Sequence, residues 1–252
     1  MVNSAATRDL LAELPRIRTQ LRQGRMPDDV ALRRLVRLID ARTPTAVAGL
    51  LESAGVTLPA VRTAWLAGCV CRAAAVITPT RRVAVAAGLL ADLDDDPQQA
   101  AALTLGLKRW PSSVPRLIRQ QRERIDGTGE PSALTARSLS LASQTLALAC
   151  EASRRLAAGD PVDAGQAVLA LRDEAADGQW GRSLVDCLLV FALPLASVAR
   201  EATEPRPLLR IDAAHPPVVV QAESRAEARR HRRLTGLRAS RERGVRFSKA
   251  GG

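Results

Sequence analysis

Apolar residues recur at intervals of three and four along most of the chain, the repeat that turns one face of an α-helix toward a core. Leu10, Leu11, Leu14, Ile17 and Leu21 form a first stripe, and Val30, Leu32, Leu35, Val36 and Ile39 a second. The first closes near Gly24 and the second at Ala41 to Pro44. Thr43 or Thr45 is suited to cap a third helix through Leu51 that Gly55 ends. Leu58 to Ile77 predicts a longer, more apolar helix, followed by the breaker Thr78-Pro79-Thr80. Val83 to Leu90 then runs into an acidic cluster, Asp92, Asp94, Asp95 and Asp96, ahead of Pro97.

The same periodicity predicts helices at Gln98 to Leu107, at Ser113 to Ile125 with Ser112 or Ser113 as N-cap, and at Ser132 to Ala157. Two more follow at Val162 to Ala175 and Arg182 to Ala202, separated by Gly159-Asp160-Pro161 and Gly178 to Gly181. Nine or ten helices make the fold all-α. Beyond Pro205 the pattern changes: Leu208 to Ile211 and Val218 to Val220 are short β-type runs that predict a small hairpin, which needs the helical body to lie on. The expected organisation is an N-terminal helix (1–26), a helical domain (27–204), a hairpin extension (205–221) and a basic tail (222–252) too poor in apolar residues to hold a core and expected to be disordered.

Composition supports the helical reading, because the 46% of hydrophobic residues are mostly Ala, Leu and Val, with no Tyr, two Phe and three Trp. The formal charge of +11 suggests nucleic acid until it is located. Ten Arg or Lys against three Glu after position 220 place +7 in the tail, and the body is nearly balanced. A polyanion such as nucleic acid is therefore expected to meet the tail if it meets the chain at all. The most apolar window, Leu184 to Val198, contains Asp186 and is interrupted by Pro194, so it reads as a buried core helix rather than a membrane span. No signal-peptide core precedes the first helix, and the expected location is cytoplasmic.

The candidate chemistry concentrates in Arg122 to Pro131, which reads RERIDGTGEP. Gly127 and Gly129 permit positive backbone dihedrals, Pro131 suits the first turn of a following helix, and Asp126 before glycine is read as a turn stabiliser rather than an acid catalyst. Glu123 and Arg124 read as a solvated helix end, and Trp110 and Trp180, which flank loops, as packing. Arg119 and Arg122, three apart, would share a helix face and could contact a phosphate, although a solvated basic face is the plainer reading. The acidic cluster at 92–96 lacks the glycine and the distal glutamate of a calcium loop. Cys69, Cys71, Cys150 and Cys187 have no zinc spacing and are read as small buried residues.

Glu123 to Pro131 resembles the glycine loop of the HD-GYP domain, a bacterial helical domain whose active members hydrolyse cyclic di-GMP with two or three irons. The resemblance spans roughly residues 30 to 200. Ala87 to Asp92 resembles the end of the helix that carries the family's His-Asp pair, and Leu146 to Leu156, Asp163 to Glu174 and Gly178 to Leu189 resemble the helices and turn after the loop. The ligands do not follow. The resemblance places Ala91 and Asp92 at the His-Asp pair, Asp95 at a lysine, Gln121 and Arg122 at a double histidine, Cys150 at a later ligand aspartate and Glu130 at the tyrosine. The chain's two histidines, His215 and His231, fall at none of these positions. Asp92 alone matches a ligand, and Arg122 puts a cation where a metal would sit. Asp92, Asp126, Gly127, Gly129 and Pro131 are thus read as vestiges of the family motif, with no catalytic residue, metal or cofactor expected. The implied function is an inactive HD-GYP-like regulatory or protein-interaction module that could still bind a cyclic dinucleotide. The alternatives are a metal-dependent cyclic di-GMP phosphodiesterase and a polyanion binder acting through the tail.

Overall fold

A computed structural model describes residues 4–27, 29–41, 59–107, 110–157 and 161–203. The helix expected around Thr43 to Gly55, the hairpin at 205–221 and the basic tail, with His215 and His231, lie outside the described residues. Ten α-helices occur among those described: α1 (Ser4–Arg22), α2 (Asp29–Asp40), α3 (Pro59–Ala73), α4 (Thr78–Leu90), α5 (Pro97–Thr104), α6 (Ser113–Arg119), α7 (Leu141–Ala157), α8 (Pro161–Leu169), α9 (Leu171–Ala176) and α10 (Arg182–Thr203). The fold is all-α, and β pairing among these residues is confined to two isolated bridges in the glycine loop.

The centre of the core is α3, whose Val61, Ala64, Trp65, Leu66 and Val70 are all but fully buried. It packs against α4 and α7, and Trp65 meets Phe191 of α10 edge-on, with ring centroids 6.0 Å apart and planes at 87°. Small residues set the spacing. A Cβ on Gly88 of α4 would stand 2.6 Å from the Ala64 Cα, so these two helices cross with backbone nearly touching backbone. The stripes read from α1 and α2 are the buried ones: Leu14, Ile17, Leu21, Leu32 and Leu35 are essentially inaccessible.

Two polar pins join distant helices. Arg62 of α3 is buried, and it donates to the hydroxyl of Ser153 on α7 at 3.0 Å and to the Ser153 carbonyl at 2.7 Å. Asp40, at the end of α2, accepts from Arg81 Nε at 2.6 Å and Nη2 at 3.2 Å, and from Arg72. The breaker Thr78-Pro79-Thr80 is the first turn of α4, where a proline has no helical hydrogen bond to lose. No helix among the described residues is long and apolar enough to cross a membrane.

Candidate functional site

The acidic turn after α4 shapes one rim of a cleft. Asp96 caps α5 by accepting from Gln98 N at 2.9 Å, which explains a carboxylate immediately before Pro97 at the first helical turn. Asp94 accepts from Asp96 N at 2.9 Å. Much of this cluster is therefore occupied in holding its own turn.

The opposite rim departs from the periodicity. The helix expected to reach Ile125 stops at Arg119, and Arg119 and Arg122 do not share a helix face. The amides beyond it are used by the loop instead. Glu130 N donates to Arg122 O at 3.1 Å, Ala136 N to Ile125 O at 2.9 Å, and Ile125 N to Gln179 O at 3.1 Å. The following helix starts at Leu141, not Ser132, and Pro131 occupies a turn after a cis peptide rather than a first helical turn.

Glu123 explains why. It is not a solvated helix end: it is 1% exposed, and its two carboxylate oxygens accept from Ser132 N at 2.8 Å and Leu134 N at 2.9 Å. Capturing these amides folds the loop back on itself and delays the next helix. The two glycines have different jobs. Gly127 takes φ +85°, whereas Gly129 is needed for proximity, because a Cβ there would fall 2.2 Å from Arg124 N and 2.4 Å from the Glu123 Cα. Asp126 accepts from both the amide and the hydroxyl of Thr128, at 2.9 and 2.8 Å. Burial alone would raise its pKa, but the Thr128 hydrogen bonds and the nearby Arg124 outweigh it and hold the carboxyl below the usual range. It is a turn residue, as its place before glycine indicates.

Between these rims lies a cleft of about 470 Å³, to which Ala91, Asp92, Gln121, Arg122 and Cys150 all contribute. The fold thus brings together the positions that the resemblance aligned with metal ligands. Arg119 is not among the residues lining it. Gln121 bridges the cleft by donating to Ala91 O at 2.8 Å while its side-chain oxygen accepts from Cys150 Sγ at 3.6 Å. Arg122 Nη2 donates to the carbonyl of Asp95. Asp92 is engaged by Arg18, whose Nη1 lies 2.6 Å from Asp92 Oδ1, and Arg22 Nε donates to Leu93 O at 2.8 Å. Burial, reinforced by the negative charges of Asp92 and Glu151, pushes the Cys150 thiol far above its ordinary range.

The third wall is a charge network that the sequence did not reveal. Glu151 accepts from Arg154 at 2.6 Å and from Arg155 at 2.7 Å. Arg155 continues to Glu174, which also accepts from Trp180 Nε1 at 2.9 Å. Arg124 lies over the Trp180 ring, 5.9 Å from its centroid. Burial would raise the Glu151 carboxyl, but the hydrogen bonds and charges of Arg154 and Arg155 win and lower it. Trp180 is both packing and cleft wall.

A binuclear iron centre requires imidazoles and carboxylates whose free lone pairs converge. Here the convergent groups are a methyl, an amide already hydrogen-bonded at both ends, a guanidinium and a thiol held protonated. Asp92, the one carboxylate at an aligned ligand position, carries an arginine. Among the described residues no group of three or more His, Cys, Asp or Glu is placed to hold a metal ion. The residues present do not fit that centre.

Residues 89–184, from the end of α4 to the start of α10, match the family model described as HD domain. That segment is similar to an HD domain, and the likeness read from the glycine loop holds at that level, on an all-helical fold. The structure is also similar to that of Bd1817, a HDG"Y"P protein from Bdellovibrio bacteriovorus, with 16% identity, a TM-score of 0.49 and 64% of this chain covered. The chain spans 60% of that protein's length. No curated protein matches the chain.

Proposed function

We propose that this chain is an HD-domain protein that does not hydrolyse cyclic di-GMP and serves as a regulatory or protein-interaction module. The observation that carries the reading is the mutual hydrogen bonding of the groups at the aligned positions, Ala91, Gln121 and Cys150, with Arg122 bound to the Asp95 carbonyl and Asp92 drawn to Arg18. At the positions aligned with metal ligands each group is absent, protonated or engaged, so those positions cannot activate the bridging water of a binuclear hydrolase. The test incubates purified protein with iron or manganese, measures bound metal by mass spectrometry and follows cyclic di-GMP by chromatography. Neither stoichiometric metal nor turnover is expected. Both together would overturn the proposal.

A binding-only role for the cleft is favoured by one further arrangement. Arg122 and Arg124 line it together with Trp180, which gives donors for a phosphate beside an aromatic wall, opposed by the carboxylates of Asp92, Asp94, Asp95, Glu130 and Glu151 on the same lining. This variant expects calorimetric heat with a cyclic dinucleotide that Arg122→Ala abolishes. No heat from the wild-type protein would end it.

A further inference from the structure

A second concavity, of about 230 Å³, shares no lining residue with the cleft. It lies between α2 and α4. Arg33, Val36 and Arg37 are spaced three and four apart on α2, and Pro79, Arg82 and Val83 repeat the same spacing on α4, so each helix presents one stripe to the groove. Both stripes place a valine at the floor and arginines at the edge. Trp110, ahead of α6, supplies the end wall, with the Arg33 guanidinium 5.8 Å from its ring centroid.

The charge around the groove is unbalanced in one direction. Asp40 is buried, and both oxygens of its carboxylate are bound by Arg81. Arg82, nearly half exposed, reaches Asp40 only at 3.6 Å. Arg37 is exposed and has no carboxylate partner among the described residues. Two carboxylates, Asp29 beside Arg33 at 3.6 Å and the sequestered Asp40, thus stand among a larger number of arginines, and neither one meets Arg37. The indole N–H of Trp110 is also buried with no acceptor among the described residues.

We propose that this groove docks an acidic peptide segment of a partner protein, with one apolar side chain on the Val36–Val83 floor and flanking Asp or Glu side chains on Arg37 and Arg82. Apolar anchors give such a contact its affinity, and charge complementarity sets its partner and its rate of encounter. A nucleic acid fits less well, because phosphates would meet the arginines while Trp110, already faced by Arg33, is the one stacking surface in the lining and the valines and prolines offer bases no hydrogen bonds. The inference does not depend on whether the cleft is catalytic.

The test titrates the full-length protein with a labelled peptide in which a single Leu is flanked by Asp and Glu. A Lys-flanked peptide and a duplex oligonucleotide serve as comparisons. Trp65 is 1% exposed and Trp180 lines the other cleft, so only the part of an emission change that Trp110→Phe removes reports on the groove. Saturable binding of the acidic peptide is expected, with an emission shift that Trp110→Phe removes. Arg37→Glu should weaken binding about tenfold or more, as loss and reversal of one complementary charge implies, while circular dichroism shows it folded. Equal binding by wild type and Arg37→Glu would place the contact elsewhere, on the basic tail for instance, and overturn the proposal. So would a Trp110-dependent emission shift driven by the oligonucleotide and not by the acidic peptide.

Discussion

Arg18 on the first helix and Asp92 just beyond the fourth are joined twice, by an ion pair at 2.6 Å and by a hydrogen bond from Arg18 Nη2 to the Asp92 carbonyl at 2.8 Å. The carboxylate that aligns with a metal ligand is thereby supplied with a guanidinium. A guanidinium is always charged and donates in a fixed fork, so it neutralises a carboxylate without coordination chemistry. Thermal melting should therefore give the same midpoint in EDTA and in millimolar manganese. A rise with manganese that Asp92→Ala abolishes would show a metal site instead.

The same pair predicts a modest mechanical effect. Asp92 is about half exposed, so solvent screens the attraction, and Arg18→Ala alone should cost about 0.5–1 kcal/mol in urea denaturation. Replacing Arg22 as well removes its hydrogen bond to the Leu93 carbonyl, and the double variant should lose roughly 1–2 kcal/mol.

Glu123 is the residue on which the glycine loop depends. Its carboxylate is buried and satisfies two backbone amides nine and eleven positions later. Glu123→Ala leaves both without an acceptor and should destabilise the protein by about 2–4 kcal/mol. Glu123→Gln keeps one good acceptor and should recover part of the loss. Hydrogen exchange at Ser132 and Leu134 would localise the effect.

The crossing of α3 and α4 gives a steric prediction. A methyl at position 88 would meet the Ala64 Cα at 2.6 Å and its nitrogen at 2.9 Å, contacts that only backbone movement can relieve. Gly88→Ala should cost about 1–3 kcal/mol despite alanine's better helix propensity. A more stable variant, read from the urea midpoint, would contradict the packing described here.

Asp40 sets a pH dependence. Burial would raise its pKa, but Arg81, Arg72 and Arg82 outweigh burial and hold the folded-state pKa below the ordinary 3.8. A folded pKa below the unfolded one contributes stability that is present in full above the unfolded value and is lost as the pH falls through the folded one. Acid unfolding should thus include a component below about pH 4 that Asp40→Asn removes. At neutral pH the same variant should lose about 3 kcal/mol, because arginines built around a buried carboxylate keep their charge and lose its counterpart.

Much of the helical frame was legible because helix formation and burial leave the same three-and-four signature. The stripes at Leu14, Ile17 and Leu21 and at Leu32, Leu35 and Ile39 are buried as their spacing predicts. The stretch after Arg119 misled the same reading. Its side chains continue a helical pattern, but its amides find acceptors in Glu123 and in the returning loop, and periodicity carries no information about where an amide's partner lies. Glu123 looked solvated for that reason. The Glu151–Arg155–Glu174–Trp180 network was equally invisible, since it joins residues from α7, α9 and the turn before α10.

Composition and order alone fixed the helical class, the turn at Asp126-Gly127 and the lack of histidine at the aligned positions, because each is a property of residue type or of near neighbours. Tertiary structure decided what those positions became. Only folding brings Ala91, Gln121 and Cys150 within hydrogen-bonding reach, presents Arg18 to Asp92 and opens a basic, valine-floored groove between α2 and α4. Contacts between residues far apart in the chain depend on how helices cross, and the crossing is set by glycines such as Gly88, whose lack of a side chain acts only against a neighbour.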